Sequence, residues 1–382
     1  MKNVVVVKGD NASSMAYEAM QKVYKPSSEN KSVLLKVNTG FKGPKGTGLC
    51  THPETVRGAI KFFKEQGFEK IYVGDSSIVG VDNWEALKAA GIYDLCEEMG
   101  VTCVNLDEAE MVKREVPNGV IVKELKFSSL VFDVDVVVSM PVMKTHMYTG
   151  ATLSIKNMKG AMHKINKTVL HRILTPSPDP EKGKVLDFGI AEMARICYPD
   201  YALIDGFVAM EGFGPSGGTP KNMGVVLASD EPIACDLVAI KLMGMEWDDI
   251  SHLNIISEEK GVGVSDIKVE PENFMDYTQK FKLASEKELM DEYSNIEIID
   301  RGACSGCHAT MIAFLKVHGE KISKDRKVRV YLGKDLTDDD FDDNECFLIG
   351  NCTAKYKDQY GFCKGCPPIP SRINATINGE EE

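Results

Sequence analysis

Short apolar runs of strand length alternate along this chain with longer stretches of helix-like apolar spacing. Thr51 and Glu54 form the T-x-x-E pattern of a capping box before the first helical stretch. Such alternation predicts an α/β fold with an open, mostly parallel, Rossmann-like sheet and helices on both of its faces. The strand-like runs are residues 4–7, 33–37, 71–74, 101–106, 134–140, 201–204 and 225–228, and the helical stretches are 53–66 and 83–98.

The length of 382 residues suffices for one large domain and a smaller one. We predict an α/β domain over residues 1–295, which holds a substrate crevice. We predict a smaller, cysteine-rich α+β region over residues 296–382, which binds metal. The acidic segment 335–345 is expected to be a solvated turn within this smaller region.

Charge and hydropathy argue against several classes of partner. The formal net charge is −12, whereas nucleic acid and anionic membranes require a broad basic surface. No stretch approaches the roughly 18 consecutive apolar residues of a transmembrane helix. The apolar run 4–7 is too short for the core of a signal peptide. We therefore expect a cytoplasmic, reducing location, where clustered thiols bind metal or carry out redox chemistry.

Polar side chains come at the ends of most of the predicted strands. They include Asn38, Asp75, the segment Lys144–His146 and Asp205. Ligands of open α/β sheets collect in the crevice beyond the carboxyl ends of the strands, so we expect these side chains to meet there. A turn or capping role is the alternative for each of them taken singly, because Asn and Asp favour turns.

The segment 136–178 contains no Asp or Glu, although the protein as a whole is acidic. Its cationic and histidine side chains are Lys144, Lys156, Lys159, Lys164, Lys167, Arg172, His146, His163 and His171. If residues 151–164 are helical, Lys156, Lys159 and His163 lie on one face. We expect a small anion, a carboxylate or a phosphate, to bind there. A solvated basic face or a docking patch for a partner is the alternative.

Two glycine-rich segments resemble phosphate-binding loops only in part. Residues 38–55 place glycines directly before a predicted helix N-terminus, where free backbone N–H groups can bind an anion. Their spacing matches neither the P-loop nor the dinucleotide fingerprint, and a purely structural loop is the alternative. Gly212, Gly214 and Gly217 have the fingerprint spacing, but a strand follows them instead of a helix, so we discard that interpretation.

The last part of the chain is rich in cysteine. Six of the eleven cysteines fall within the final 79 residues, at Cys304, Cys307, Cys346, Cys352, Cys363 and Cys366. Four thiolates can hold either tetrahedral zinc or a [4Fe–4S] cluster. Pro367 directly after Cys366 is typical of the end of a bacterial ferredoxin motif, which favours the cluster. Cys304 also precedes a helical stretch, whose N-terminus stabilises a thiolate.

Several short motifs together resemble the domain of unknown function 362 family. In the body of the chain they are Asn38, Thr51–Glu54, Gly74–Ser76, Lys144–His146, Ile155–Asn157 with Lys159 and Gly160, His171–Arg172, Ile204–Gly206 and Glu211–Gly212. Further along, Ala303–Cys307, Ile349–Thr353 and Gly365–Pro368 resemble the iron–sulfur tail that many members carry. The resemblance implies an α/β body and often an iron–sulfur centre, without a settled reaction. The ferredoxin-like insert of some members is missing from this sequence, which argues against a two-cluster electron wire.

The resemblance also implies a set of metal ligands. Cys304, Cys307, Cys352 and Cys366 fall on the family motifs, so they are the expected ligands of a [4Fe–4S] cluster. Cys346 and Cys363 are the alternates, and zinc is the alternative metal.

The combined features favour an iron–sulfur oxidoreductase that acts on a small anionic substrate and transfers single electrons through its cluster. The candidate catalytic residues are His146, Lys144, His163 and Asp75, and the candidate substrate-binding residues are Asn38, Lys156, Asn157, Lys159, His171, Arg172 and Asp205. Lys144 and Lys156 would hold the anion, and His146 or His163 would move protons. A ferredoxin or another redox protein is the expected partner.

Two other classes of function stay open. A lyase, isomerase or racemase would use the cluster or zinc as a Lewis acid or as a structural element. A non-enzymatic electron-transfer protein would dock its redox partner on the basic segment.

Overall fold

A computed structural model describes residues 1–341 and 345–380, and the chain forms two units with separate β-sheets. The first unit contains Met1–Lys167 and Ser177–Ala284. The second contains Thr168–Pro176 and the residues from Ser285 onward. The predicted boundary at residue 295 thus falls inside the second unit, and residues 168–176 belong to that unit as well. Residues 342–344 of the predicted acidic turn lie outside the described residues.

The first unit contains one large sheet and a small separate hairpin. Its strands are β1 (Lys2–Lys8), β2 (Ser32–Lys36), β3 (Lys70–Asp75), β4 (Thr102–Asn105), β5 (Met111–Glu115), β6 (Glu124–Ser128), β7 (Val136–Ser139), β8 (Val142–His146), β9 (Gly150–Thr152), β10 (Tyr201–Phe213), β11 (Gly217–Ser229) and β12 (Ile267–Glu270). All seven strand-like runs of the sequence fall on strands of this sheet. Strands β5 and β6 form a separate antiparallel hairpin.

The strand order of the large sheet is β12-β1-β11-β10-β7-β2-β3-β4, and β8 pairs with both β10 and β9. The pairs β10–β7, β7–β2, β2–β3 and β3–β4 are all parallel. Antiparallel pairing is confined to β1–β11, β10–β11 and β8–β9. The prediction of an α/β fold with a mostly parallel sheet is therefore confirmed.

Helices cover both faces of this sheet. They are α1 (Ala12–Val23), α2 (Pro53–Glu65), α3 (Asn83–Ala89), α4 (Ile92–Met99), α5 (Leu130–Asp133), α6 (Ser154–Asn157), α7 (Val185–Ala194), α8 (Pro232–Leu242) and α9 (Ser251–Lys260). Val5 and Val7 of β1 pack in the core that contains Ala16 of α1, while Val4 and Val6 are equally buried on the opposite face. Helices α1 and α8 both contact β1. Burial of every residue in the run explains why it is continuously apolar instead of alternating.

Two helix predictions need correction. The stretch 83–98 forms two helices, because Gly91 adopts a left-handed conformation between α3 and α4, with φ at 74°. The capping box at Thr51 does not form. His52 caps α2 instead, through Nδ1, which accepts a hydrogen bond from the Glu54 N–H at 3.2 Å. The Thr51 hydroxyl accepts from the Asn38 N–H at 2.7 Å and donates to the Met140 carbonyl.

The second unit has its own parallel sheet. Its strands are β13 (Ile296–Asp300), β14 (Val328–Leu332), β15 (Glu345–Ile349) and β16 (Gly361–Cys363), and its helices are α10 (Glu286–Glu292), α11 (Ser305–His318) and α12 (Pro370–Asn378). The strands pair in parallel in the order β13-β14-β15-β16. The expected α+β arrangement is thus corrected to α/β, since α11 connects two parallel neighbours. A small apolar cluster around Tyr331, Leu348 and Tyr356 forms its core.

The close contact of α1 with α2 offers a test of the packing. A Cβ atom on Gly58 would lie 2.1 Å from the Ser13 carbonyl oxygen and 2.9 Å from the Ala16 Cβ. We expect Gly58→Val to lower the free energy of unfolding by about 1–3 kcal/mol through overpacking, as measured by urea denaturation. Lys61→Val, at an exposed position of the same helix, is the matched control and is expected to cost below about 1 kcal/mol. Equal losses in the two variants would contradict this packing.

Candidate functional site

The first unit has a cavity where the strand order reverses. From β2 the chain continues to β3 and β4 on one side and later returns to β7 on the other side. Open α/β sheets bind ligands at the carboxyl ends of strands at such a point. The cavity has a volume of about 120 Å³, smaller than the roughly 300–1,000 Å³ of pockets for drug-sized ligands. Its cationic lining residues are Lys36, Lys144, Lys156, Lys159 and Lys167.

A buried ion pair forms the floor of this cavity. The Lys36 Nζ lies 2.6 Å from Asp75 Oδ1, and the two side chains are 0% and 2% exposed. Asp75 also accepts hydrogen bonds from the Thr39 and Ser76 N–H groups, each at 2.7 Å. Burial lowers the pKa of Lys36, and Asp75 partly opposes this effect. Asp75 therefore neutralises Lys36 and orders the adjoining turn.

Asn157 joins the two strands that flank the reversal. Its Nδ2 donates to the Lys36 carbonyl at 3.0 Å and to the Ser139 hydroxyl at 3.1 Å. Its Oδ1 accepts from Lys36 Nζ and from Asn38 Nδ2, both at 3.2 Å. These bonds fix both amides, so Asn38 Oδ1 is a buried acceptor that has no donor among the described residues. Asn38 lines the cavity, and this oxygen can accept a hydrogen bond from a ligand.

Three of the cavity lysines have no carboxylate within ion-pair distance among the described residues: Lys144, Lys156 and Lys159. By contrast, Lys167 pairs with Asp107 at 2.6 Å. Burial, with a smaller effect from a neighbouring lysine, lowers the pKa of Lys144 to about 8 and that of Lys159 to about 7. Burial, and then Lys159, lower the pKa of Lys156 well below its usual range. These three lysines have no carboxylate partner in the described part of the chain, so a bound anion would stabilise their protonated forms.

Helix α6 carries Lys156 and Asn157 into the site, and a buried carboxylate anchors that helix. Asp236 of α8 accepts from the Ser154 N–H at 2.8 Å, from the Ser154 hydroxyl at 2.5 Å and from the Ile155 N–H at 3.1 Å. These are the free donors of the first helical turn. The carboxylate therefore fixes the direction in which Lys156 and Asn157 point.

The predicted continuous helix over residues 151–164 does not form. After α6 the chain makes a 3₁₀ turn over Met158–Ala161 and then becomes extended at Met162, where ψ is 133°. Met162 forms a bridge with Phe127. Lys156 and Lys159 consequently both line the cavity, whereas His163 does not. The prediction that these three residues share one helical face is therefore wrong for His163.

Lys144 and His146 reach the cavity because they are two residues apart on β8, on the same face. The Lys144 Nζ donates to the carbonyls of Leu49 and Pro215 at 3.1 and 3.3 Å. His146 Nδ1 accepts from the N–H groups of Tyr148 and Thr149 at 3.1 and 3.3 Å. Since backbone N–H groups only donate, Nδ1 is unprotonated and the ring proton of neutral His146 lies on Nε2.

Three predicted binding residues do not line the cavity. Asp205 accepts from the His52 N–H at 2.6 Å and the Phe207 N–H at 3.1 Å, so it supports the start of α2. Burial raises its pKa. His171 and Arg172 belong to the second unit. There, His171 Nδ1 lies 3.2 Å from the Ser305 hydroxyl.

Lys36 is a site residue that the sequence did not single out, and Lys167 was predicted only as a member of the basic segment. Lys36 has a signal in the sequence, because a lysine inside an otherwise apolar strand needs a buried partner. That partner, Asp75, ends the neighbouring strand β3. Lys167 is distinguished in the sequence only by its place in the basic segment.

The cysteines of the second unit collect at one edge of its sheet. Cys304 and Cys307 follow β13, Cys352 follows β15 and Cys366 follows β16. The carboxyl ends of parallel strands lie at the same edge, which brings distant thiols together. The hydrogen bond from Cys307 to Cys304 and burial raise the pKa of Cys307, and the nearby Cys352 and Cys366 raise it further.

Backbone hydrogen bonds tie the loops that carry these thiols. The Gly350 N–H donates to the Cys363 carbonyl at 3.0 Å, and the Asn351 N–H donates to the Gly365 carbonyl at 2.8 Å. The Gly365 N–H in turn donates a hydrogen bond to Asn351 Oδ1 at 3.0 Å. The loop after β15 and the loop after β16 therefore form one connected surface.

The two alternate cysteines differ from these four in position. The Cys346 Sγ lies in the apolar cluster of the second unit and donates to the Tyr331 hydroxyl at 3.7 Å. Cys363 is 1% exposed at the end of β16. Cys352 and Cys366 are exposed. Among the described residues, no three His, Cys, Asp or Glu side chains lie close enough to share one metal ion.

These observations define an α/β protein with a lysine-lined cavity at the reversal of its sheet and a second unit with clustered thiols. Residues 33–241 match the family described as domain of unknown function (DUF362), and the chain belongs to this family. It is also similar to a thylakoid-associated protein of Synechocystis sp., with 28% identity over 217 residues. That match covers 56% of this chain and 63% of the relative, so the chain spans less than two thirds of the relative's length.

Two solved structures show weaker similarity. The lactate racemase apoprotein of Thermoanaerobacterium thermosaccharolyticum has a TM-score of 0.43 and 10% identity, with coverage of 64% of this chain and 57% of that one. A protein from Thermotoga maritima has a TM-score of 0.32 and 12% identity, with coverage of 66% and 60%. Similarity at this level carries no argument about function. Among the described helices, none combines the length and apolar character needed to span a membrane. The cytoplasmic location stays a prediction.

The buried pair at the cavity floor can be tested by substitution. Lys36→Met leaves Asp75 buried without its cation, so we expect the free energy of unfolding to fall by about 3–5 kcal/mol, as measured by urea denaturation. Adding Asp75→Asn is expected to recover part of this loss, because no uncompensated charge remains. Lys42→Met is the matched control, since its pair with Glu85 is 60% and 59% exposed and is worth below about 1 kcal/mol. Equal losses for Lys36→Met and Lys42→Met would refute the structural role of the pair.

Proposed function

We propose that this chain is an enzyme for a small anionic substrate and that its second unit holds a [4Fe–4S] cluster for one-electron transfer. The observation that carries the proposal is a group of three cavity lysines, the buried Lys144 and Lys156 and the half-buried Lys159, none of which has a carboxylate within ion-pair distance in the described part of the chain. Burying uncompensated cations costs free energy, and a bound carboxylate or phosphate removes that cost. The volume of about 120 Å³ favours a substrate of few atoms.

Each cavity residue has a role in this proposal. Lys144 and Lys156 bind the anionic group, and Lys159 adds a third positive charge when it is protonated. Asn38 Oδ1 accepts a hydrogen bond from a donor on the substrate, and His146 lines the same cavity. A base function for neutral His146 is disfavoured, because Nδ1 is occupied by two N–H donors and Nε2 carries the proton.

The chemistry of the clustered thiols supports the proposed cluster. Cys304, Cys352 and Cys366 each raise the pKa of Cys307, so the four thiols lie near one another. A single zinc needs its thiolates around one point, whereas the ligands of a [4Fe–4S] cluster are spread over four irons. When bound, the cluster would supply or accept single electrons. A ferredoxin or another one-electron carrier is then the proposed partner.

One observation favours a second candidate function, a non-redox lyase or isomerase. Burial and Lys167 bring the pKa of Lys159 to about 7, so a large fraction of this amine is neutral at physiological pH. A neutral amine beside a bound carboxylate can accept a proton from the substrate. In that case the cluster would have a structural role.

Anion binding should depend on pH in a defined direction. Lys159 and Lys144 lose their protons near pH 7 and pH 8 in the free protein, and a bound dianion favours their charged forms. We expect the affinity for sulfate, measured by isothermal titration calorimetry, to be greatest below pH 7. It should fall by about tenfold per pH unit for each deprotonated lysine as the pH rises towards about 9.

Sulfate is a suitable probe because it does not titrate in this range. Lys144→Met and Lys156→Met should each weaken binding, while Lys61→Met on the exposed face of α2 should leave it unchanged. Affinity that is constant with pH, or equal in all three variants, would exclude the cavity as the anion site.

The metal centre has its own test. We expect the chain, purified without oxygen, to contain about four irons and four sulfides and to give an electron paramagnetic resonance signal after dithionite reduction. Cys352→Ala should lose iron and the signal, because Cys352 lies in the thiol cluster. Cys346→Ala is the matched control and should retain both, because Cys346 packs in the apolar core. About one zinc and no signal would contradict the cluster.

A further inference from the structure

Lys159 differs from the other lysines of the cavity in its bonding. Lys36 and Lys167 are held in ion pairs with Asp75 and Asp107. Lys144 donates to two carbonyls, and the Lys156 Nζ lies 3.5 Å from the Thr152 hydroxyl. Among the described residues, no acceptor lies within hydrogen-bond distance of the Lys159 Nζ. Lys159 is therefore the lysine of this group whose protonated form is not stabilised by a hydrogen-bond acceptor in the described part of the chain.

The backbone holds Lys159 firmly against the cavity. The Gly160 carbonyl accepts a hydrogen bond from the Ser76 hydroxyl at 2.6 Å. A Cβ atom on Gly160 would lie 2.3 Å from Asp75 Oδ1 and 2.7 Å from the Lys36 Nζ. Only glycine allows the turn to come this close to the buried pair. The position of Lys159 is thus set by the same contacts that form the cavity floor.

We propose that Lys159 is a nucleophile that forms an imine with the carbonyl group of a small oxo acid bound in this cavity. Lys144 and Lys156 would hold the carboxylate and place the adjoining carbonyl carbon beside Lys159. The Nζ lone pair of the neutral amine forms the new C–N bond, both carbon–oxygen bonds break, and the two amine protons pass to the oxygen, which leaves as water. One proton from solvent then gives the protonated imine. The step needs no oxidant or reductant. A lysine next to other cations is suited to such chemistry, because its lowered pKa leaves a fraction of the amine unprotonated near physiological pH.

This inference rests on the proposed function, because it requires the cavity to bind an anionic substrate. It adds the class of substrate, a 2-oxo acid, and the atom that bonds to it. A protonated imine withdraws electrons from the carbon atoms beside it. Lys159 would thereby activate the substrate for transfer of either an electron or a proton.

Reductive trapping tests the proposal on the full chain. The protein is incubated with pyruvate or glyoxylate at mildly alkaline pH, reduced with sodium borohydride, and analysed by intact mass and peptide mapping. We expect one adduct per chain, located on Lys159. Acetone has the same carbonyl group without a carboxylate and should give far less adduct, because the neighbouring lysines cannot hold it.

Two variants and one binding measurement make the outcomes distinguishable. Lys159→Arg retains the charge without a nucleophilic amine and should lose the adduct, with its folding checked by circular dichroism. Lys61→Arg is the matched exposed control and should be labelled like the parent chain. An adduct at another lysine, or none with either acid while the parent chain still binds sulfate, would overturn the nucleophile and leave the proposed anion site standing. If the parent chain does not bind sulfate, both the proposed anion site and the nucleophile are overturned.

Discussion

The ion pair between Lys36 and Asp75 is the contact on which the cavity depends, because each partner also organises a strand end. Lys36 contacts Asn157 through both its ammonium and its backbone carbonyl, and Asp75 orders Thr39 and Ser76. The 3₁₀ turn with Lys159 packs directly on the pair at Gly160. A buried charge pair stabilises a fold less than apolar packing does, but it fixes geometry. Here it places the remaining lysines around one small volume.

The two units use the same property of parallel sheets for different chemistry. In the first unit the reversal of strand order brings amides, a histidine and lysines together beyond β2, β7 and β8. In the second unit the loops after β13, β15 and β16 bring four thiols together. Residues far apart in sequence meet in both cases, because parallel strands end at one edge and their connections leave from there. Ammonium groups suit anions, because they are positively charged and donate hydrogen bonds. Soft thiolate ligands suit iron–sulfur clusters or zinc.

The local pattern of apolar residues predicted where strands and helices occur better than it predicted where the helices end and how they are capped. The strand-like runs all lie on strands, since burial on both faces requires continuous apolar sequence. The helix 83–98 was predicted as one because its apolar spacing runs through Gly91, whose left-handed conformation is invisible in that spacing. Thr51 fits a capping box by type, yet its hydroxyl is taken up by Asn38 and Met140, which come from other elements. His163 was misplaced because a bridge between Met162 and Phe127 ends the turn.

The sequence by itself determined the class of fold, most of the polar residues that line the cavity and the group of cysteines near the C-terminus, because apolar periodicity, a segment free of acidic residues and cysteine spacing are local properties. Only the tertiary structure decided how the charges are partnered. It neutralised Lys36 and Lys167 and left Lys159 without an acceptor in the described part of the chain. It also left Asp205 out of the cavity lining and assigned His171 and Arg172 to the second unit. Ionisation depends on burial and on neighbours contributed by distant strands, which no single stretch of sequence specifies.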